Sequence, residues 1–190
     1  SFGRPMDVLG NFVDEAGRSL SQRGNLVDVK SYFMSRGEVT RDPQRDQEYT
    51  RYLGERIAER YHIENHVYSS HLVAFAAFEY LRKKHPELDL YGLLRLPEDD
   101  RRITKEAFHQ LVSRLFNRLR ELSDHGRVHL AQHMINDVAT IIEHGVRNLG
   151  IYHAKRPLRF ATEHELGIES MNLLYYYHNR LVGYGLESLI

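Results

Sequence analysis

Histidine, which can act as a base or bind a metal at neutral pH, occurs twelve times in this chain. His125, His129, His133 and Asp137 follow one another at intervals of four, so a continuous helix would align them, and their nitrogen and carboxylate atoms would suit zinc. Gly126 interrupts such a helix and places His125 in a loop. We therefore predict no metal site at these residues.

A second pair, His62 and His66, has the spacing HxxxH but lacks the glutamate of the HExxH zinc-protease motif. We interpret these two residues as polar or capping side chains at a helix end. The sequence also has no GxSxG nucleophile elbow, no Walker loop and no GxGxxG after a strand. The residues alone therefore identify no catalytic, cofactor-binding or metal-binding site.

The composition excludes several classes of protein. The absence of cysteine excludes disulfides and thiolate sites, and 26 basic residues balance 26 acidic ones, so no net charge favours nucleic acid or an anionic bilayer. The opening residues do not have the pattern of a signal peptide, and the longest apolar run, LVAFAAF at 72–78, is far below the length of a membrane span. We expect a cytoplasmic protein whose contact with a membrane, where it has one, is peripheral.

Residues 1–40 differ from the rest of the chain, because glycines and short apolar bursts favour strands and turns over helices there. The opening SFGRPMDVL has the composition of a strand that has been cut. GNFVD at 10–14 returns as GNLVD at 24–28, which we interpret as two similar turn-and-strand pieces, the two arms of a ribbon around EAGRSLSQR. We expect a small β-hairpin segment here.

Residues 41–190 have mainly helical periodicity and predict a mainly α fold of about five helices. Asp42 is a suitable N-cap and Pro43 suits the first position of a helix that extends to about residue 61. Together these patterns predict two parts, a β-rich segment over 1–40 and a helical domain over 41–190.

The second helix should be the central one. Ser69 or Ser70 can cap it, and its apolar residues cover most of its circumference until the basic end at Lys84. LDLYGLLRL at 88–96 predicts a short helix or turn, which precedes the acidic loop PEDD at 97–100.

The clearest amphipathic helix begins after Thr104, which can cap it. One apolar stripe runs along it, formed by Phe108, Leu111, Val112, Leu115, Phe116, Leu119 and Leu122. A further helix is predicted over 130–150, with Gly150 just past its end and one apolar face formed by Ile135, Val138, Ile142 and Val146. Residues 152–160 contain a proline and no helical period, so we expect them to be extended.

Residues 163–190 predict a last helix that runs to the final residue. Leu174, Tyr177 and Leu181 form one stripe, and Leu173, Tyr176 and Arg180 lie about 100° away, so the apolar and aromatic arc is wider than one neighbour needs. We expect part of this arc to contact a second partner.

The stretch from residue 87 to 115 has the rhythm of a helix-turn-helix, and RLFNRLR at 114–120 is locally basic. Acidic residues in the turn, Glu98, Asp99 and Asp100, oppose binding to DNA. We therefore predict no nucleic-acid partner, and an autonomous helical interaction or DNA-binding module stays as the alternative interpretation.

Four stretches together resemble glycerol-3-phosphate acyltransferases. SFGRPMDVL at 1–9 resembles the strand that ends the catalytic domain, and LLYYYHNRL at 173–181 is similar to a helix in the C-terminal part of the same enzymes. Between them, the stretches at 56–84 and 101–122 occur in the order and at the intervals of the helices that follow the catalytic domain. Each motif is degenerate alone, and their common order carries the resemblance over essentially the whole chain.

The resemblance implies a bacterial enzyme of phospholipid synthesis that transfers an acyl group from acyl-CoA or acyl carrier protein to glycerol-3-phosphate. In that family the histidine of an HxxxxD motif takes the proton from the attacking hydroxyl, and the aspartate orients the imidazole. No histidine of this chain has an aspartate five residues later; the nearest is His164 with Glu169, and the pairs His85–Asp89 and His133–Asp137 are one residue short.

The resemblance therefore implies a non-catalytic C-terminal region. Residues 1–40 would be the exit segment of the catalytic domain, and residues 41–190 would be a helical domain that meets this catalytic domain and, peripherally, the inner face of the membrane. We predict no catalytic residue and no cofactor in this chain, and no acyl transfer by the chain alone. A helical interaction module, or a small metalloprotein built on the histidines, would be the other interpretations.

Overall fold

The computed structural model describes residues 3–190, so Ser1 and Phe2 of the expected opening strand lie outside the described residues. The chain forms two compact units, one up to Glu64 and one from Asn65 to Ile190. The structure is 53% helical, which confirms the mainly α prediction. The secondary structure changes near residue 40, as predicted: the last N-terminal strand ends at Val39 and a helix starts at Pro43. The boundary between the two compact units, however, lies at residue 64.

Three tight turns at seven-residue intervals form the start of the first unit. The backbone N–H groups of Gly10, Gly17 and Gly24 donate to the carbonyls of Asp7, Asp14 and Ser21, and each glycine has a φ between 75° and 80°. A side chain is strained at such a φ, which explains why glycine recurs. The repeat therefore spans seven residues.

Short antiparallel pairs connect these turns. Strand β1 (Phe12–Val13) pairs with β2 (Ser19–Leu20), and bridges join Met6 to Phe12 and Leu20 to Leu26. The interpretation of GNFVD and GNLVD as two arms of one ribbon is therefore wrong in its pairing. Both arms pair with the β2 segment between them, because each tight turn reverses the chain onto its immediate neighbour.

The rest of the first unit is a second hairpin and a long helix. Strand β3 (Met34–Ser35) pairs with β4 (Glu38–Val39), and α1 spans Pro43–Ile63, close to the predicted 43–61. Oδ1 of Asp42 accepts the backbone N–H groups of Gln44 and Arg45, as predicted for its N-cap. The Tyr49 ring of α1 packs edge-on against Tyr32 and Phe33, which explains why α1 belongs to this unit.

Helix α2 (Ser69–Lys84) is the centre of the second unit, as predicted. It packs against α4 (Lys105–Asp124), α5 (Val138–Asn148) and α6 (Met171–His178), and the residues from Leu72 to Glu79 are all buried. Its N-cap is Tyr68, so neither Ser69 nor Ser70 caps it as predicted. The short α3 spans Leu90–Leu94.

Helix α4 agrees closely with the prediction from the sequence. Thr104 is the N-cap, and its Oγ1 accepts the N–H of Ala107 at 3.4 Å. The predicted stripe is buried from Phe108 to Leu119, and Leu122 is half-buried at its edge.

Helix α5 starts later than predicted. Asp137 caps it by accepting the N–H of Thr140, so residues 130–137 precede the helix and Ile135 is 84% exposed instead of sharing its apolar face. The end agrees with the prediction, because the helix finishes before Gly150, whose φ is +71°.

Two small sheets complete the second unit. The parallel pair joins β5 (His66–Val67) to β7 (His129–Leu130). The antiparallel sheet has the order β6 (Arg102–Thr104), β9 (Glu165–Ile168), β8 (Leu158–Phe160), so part of the stretch expected to be extended does form a strand.

The prediction of one helix over 163–190 is wrong. Residues 165–168 form the middle strand β9, α6 spans only 171–178, and 3₁₀ turns follow at 179–181 and 186–189. Hairpin pairing with the preceding β8, and pairing with β6, which lies more than 60 positions earlier, override the local helical pattern of β9. Gly183 and Gly185, which both have positive φ, separate the two 3₁₀ turns.

Candidate functional site

A buried serine lies between two histidines in the second unit. Oγ of Ser69 lies 2.8 Å from Nδ1 of His144 and 3.0 Å from Nε2 of His133. The two imidazole rings are in contact, with centroids 4.3 Å apart, and the ring of Tyr68 stacks on the outer side of His133. We call Ser69, His133 and His144 the Ser–His–His cluster.

The pairing of β7 with β5 positions His133 in this cluster. The N–H of His129 donates to the carbonyl of Asn65, and the N–H of Ala131 donates to the carbonyl of Val67. The 3₁₀ turn at 132–135 follows directly and places His133 over the first turn of α2. The parallel pair of β5 and β7 is therefore the local cause of a contact between residues 64 positions apart.

Gly145 allows α5 to approach α2 closely enough for His144 to join the cluster. A Cβ on Gly145 would lie 2.7 Å from the carbonyl oxygen of Ser69 and 2.7 Å from Cγ1 of Val73. Real Cβ atoms do not approach so closely, so α5 can touch α2 here only because residue 145 has no side chain. The close approach puts His144 beside the Ser69 hydroxyl.

His133, which lies outside α2, acts as a cap for the start of this helix. The backbone N–H of Ser69 donates to Nε2 of His133 at 3.2 Å, which satisfies one of the free donors at the start of α2. Burial, with the nearby His144, lowers the pKa of His133, so its imidazole is neutral and can accept. The N-cap Tyr68 has no hydroxyl or carboxylate close to its backbone, and the imidazole takes that role.

The cluster does not have the access that a nucleophilic serine needs. Ser69 is 1% exposed, and its hydroxyl already lies between two ring nitrogens. A substrate carbonyl would have to reach the oxygen within about 3 Å. The arrangement therefore holds α2, the turn at 132–135 and α5 together, and does not support acyl transfer at Ser69.

His71 is the most strongly perturbed histidine of this region. Burial, together with the charge of Arg180, lowers its pKa to about 4. Its Nδ1 accepts the N–H of Tyr68 at 3.4 Å and closes the first turn of α2. His71 is therefore a neutral acceptor at physiological pH.

A buried carboxylate–imidazole pair joins α2 to α6. Oε1 of Glu79 lies 2.7 Å from Nε2 of His178, and both side chains are at most 4% exposed. Oε2 of Glu79 bonds Arg82 at 2.6 Å, and Nδ1 of His178 lies 3.2 Å from Oδ1 of Asn179. The rings of Phe75, Phe78 and Tyr175 pack on the imidazole. We call Glu79 and His178 the core pair.

The core pair has the partners of a catalytic base and its orienting carboxylate, but no hydroxyl substrate can reach it. Sequence reasoning missed it, although a glutamate within the apolar run of α2 is a signal for a buried partner, because a buried charge must be paired. Its position between two helices indicates a role in positioning α6.

The predicted histidine ladder is dispersed over three different elements. Nδ1 of His125 bonds the carbonyl of Glu121 at the end of α4, His129 stacks on His66, and His133 belongs to the cluster. The φ of Gly126 is +66°, and α4 ends at Asp124, as the sequence indicated. Among residues 3–190, no group of three or more histidine, aspartate and glutamate side chains could hold a metal ion.

The three near-matches to HxxxxD have other roles. His164 and Glu169 flank the extended β9, about 16 Å apart along the strand, and Glu169 pairs with Arg159 at 2.5 Å. Asp89 caps α3 and Asp137 caps α5, so both carboxylates bond backbone N–H groups. His62 and His66 also lie in separate elements, α1 and β5.

Residues 87–115, which have the rhythm of a helix-turn-helix, do not form two helices joined by a compact turn. A 3₁₀ turn at 98–100 and strand β6 separate α3 from α4, whereas helix-turn-helix motifs have a turn of about three or four residues. Strand β6 instead forms an edge of the three-stranded sheet.

Comparison of the chain with family models, curated proteins and solved structures gave no match. Between residues 3 and 190, none of the helices combines the length and the apolar composition of a membrane span.

Proposed function

We propose that this chain is the non-catalytic C-terminal region of a glycerol-3-phosphate acyltransferase. The support comes from four stretches that resemble this family in matching order, at 1–9, 56–84, 101–122 and 173–181. The acyl donor would be acyl-CoA or acyl carrier protein, and the acceptor would be glycerol-3-phosphate. The base that takes the hydroxyl proton would come from an HxxxxD motif outside this chain.

The core pair is the observation that carries the proposal furthest. It joins two of the stretches that resemble the family, the one over 56–84 and the one over 173–181, through Glu79 and His178. The motif residues thus make the scaffold of the second unit instead of lining an accessible catalytic cleft. A scaffold of this kind suits a region that supports a separate catalytic domain.

The exposed side of α6 is the surface that we expect to meet that domain. Tyr176 is 59% exposed, while Tyr175 and Tyr177 are partly buried against the second unit. The Tyr177 hydroxyl lies 3.1 Å from Nε2 of His153, and tyrosines, whose rings pack while their hydroxyls make polar contacts, suit an interface between domains. We propose peripheral contact with the inner face of a membrane for the whole enzyme only.

The reading frame that encodes this chain tests the proposal. We expect an HxxxxD motif upstream of residue 1 in the same frame, at the distance of a catalytic domain. A frame that lacks this motif would remove the basis of the proposal and leave a helical interaction module as the better interpretation.

A further inference from the structure

The first unit contains an arginine-lined cavity between its N-terminal turns and α1. The cavity has a volume of about 490 Å³ and is lined by Arg4, Arg56, Arg60, Phe12 and Glu59, together with residues of the first and third turns. This volume lies within the range of small-molecule sites. We call it the arginine cavity.

Two guanidinium groups lie close to one aromatic ring in this cavity. Cζ of Arg4 is 4.7 Å from the centroid of the Phe12 ring, and Cζ of Arg60 is 5.5 Å from the same centroid. Each arginine gains a cation–π contact, and the Glu64 carboxylate, which pairs with Arg60, offsets part of the repulsion between the two positive charges. An anion between them would offset the rest.

The hydrogen bonding of Arg60 points to the same kind of ligand. Its Nη2 bonds Oε1 of Glu64, whereas its Nε is buried and no atom of residues 3–190 accepts a hydrogen bond from it. A buried donor without an acceptor costs about 1–3 kcal/mol. Nε itself has no accessible surface, so it could donate to an oxyanion in the arginine cavity only after the Arg60 side chain, which is 26% exposed, turns towards the cavity.

The charges of the lining leave the cavity positive. Arg56 is engaged by Glu59 at 3.0 Å and by the Tyr52 hydroxyl at 3.2 Å. Among the described lining residues Glu59 is the one carboxylate, and Glu64 pairs with Arg60, so two carboxylates oppose three arginines. Arg4 is exposed and contacts the Phe12 ring through its guanidinium. Arg4 and Arg60 therefore place two guanidinium groups around Phe12, and guanidinium groups bind phosphate and carboxylate oxygens through paired N–H donors.

We propose that the arginine cavity binds a phosphomonoester, held by Arg4 and Arg60 around Phe12, either free or as the headgroup of a lipid. The remaining volume takes the organic group attached to the phosphate. This site is independent of the acyltransferase proposal, since its residues and argument lie wholly within the first unit.

Titration of the 190-residue chain with inorganic phosphate, followed by calorimetry, tests the site. We expect saturable binding that weakens as salt rises and that falls at least about tenfold in Arg4→Gln and in Arg60→Gln. Arg51→Gln is the matched control, because Arg51 is on the same helix, is paired with Glu48 and Glu55, and does not line the cavity. Phosphate binding that Arg4→Gln and Arg60→Gln leave unchanged would overturn the proposal.

A measurement on the unsubstituted chain covers the case in which a variant fails to fold. The ¹⁵N resonance of Arg60 Nε should shift on addition of phosphate, and the resonance of Arg51 Nε should not. If both resonances shift equally, or neither shifts, the site does not exist.

Vesicles distinguish the two sources of the phosphomonoester. Binding to phosphatidylcholine vesicles that contain phosphatidic acid, but not to phosphatidylcholine alone, would assign a lipid headgroup, provided that Arg60→Gln abolishes it. Binding of free phosphate without vesicle binding would assign a soluble phosphomonoester. Failure of both probes would contradict the proposal.

Discussion

At the scale of single residues, the histidines of the second unit act as hydrogen-bond partners inside the fold. His133 accepts the N–H of Ser69, His71 accepts the N–H of Tyr68, and His178 bonds Glu79. Burial lowers the pKa of both His133 and His71, which keeps these two rings neutral. His133 and His71 therefore complete the hydrogen bonds at the start of α2, and His178 joins α2 to α6.

His71 should make the second unit sensitive to acid. The pKa of His71 is about 4 in the folded chain and 6.5 in the unfolded chain. Between these two pH values the unfolded state binds a proton at His71 and the folded state does not. The free energy of unfolding should be independent of this group above pH 7 and fall by about 3 kcal/mol as pH drops from 6.5 to 4.

Urea unfolding at a series of pH values measures this loss. In His71→Asn the decrease between pH 6.5 and 4 should be smaller, because asparagine can still accept the N–H of Tyr68 but does not titrate. His164→Asn, at an exposed position beside β9, should follow the unsubstituted chain. An equal loss in all three proteins would show that His71 is not responsible.

Removal of one member of the core pair should be strongly destabilising. Glu79→Ala leaves His178 and its ring environment without the carboxylate, and breaking a buried pair typically costs about 3–5 kcal/mol. Glu121→Ala is a suitable control, since its pair with Arg118 is exposed and such pairs contribute at most about 1 kcal/mol. Chemical unfolding that gave equal effects for the two variants would refute the importance of the core pair.

At the scale of elements, local capping signals predicted the ends of several helices. The predictions that were wrong or missing concern residues that contact distant parts of the chain. Asp42, Thr104 and Gly150 mark the ends of α1, α4 and α5, because caps act within a few residues. Strand β9 contradicts the predicted last helix, since its partner β6 lies more than 60 positions earlier in the chain and β8 joins it from the other side in a hairpin. The Ser–His–His cluster and the core pair were missed for the same reason, as each joins residues at least 64 positions apart.

Gly145 is the residue on which the contact of α5 with α2 depends. Gly145→Ala would place a Cβ within 2.7 Å of the Ser69 carbonyl, so the helices must separate and the free energy of unfolding should fall by about 1–3 kcal/mol. The contacts of His144 and Ser69 should weaken with it. Thermal unfolding, with the tyrosines of α6 as the spectroscopic probe, measures the change.

Gly54→Ala is the matched control for this substitution. Gly54 is a helical, exposed glycine of α1 with open space at its Cβ, so alanine should stabilise the first unit by up to about 1 kcal/mol. Opposite signs for the two substitutions are expected. A stabilising Gly145→Ala would mean that α5 does not approach α2 as closely as described.

At the scale of the whole molecule, the chain divides into two units with different chemistry. The first unit concentrates arginines around a cavity, and the second buries its polar groups in structural pairs. The sequence alone predicted the mainly α fold and the central helix, because helical periodicity and capping are local signals. The interpretation of the chain as part of an acyltransferase stays a proposal.

The most direct test is acyl transfer to labelled glycerol-3-phosphate by the protein encoded by the whole reading frame. We predict product with acyl-CoA or acyl carrier protein as donor, loss of that product when the histidine of an upstream HxxxxD motif is changed to alanine, and no turnover by the 190-residue chain alone. Turnover by the 190-residue chain, or its absence from the whole protein with both donors, would contradict the proposed function.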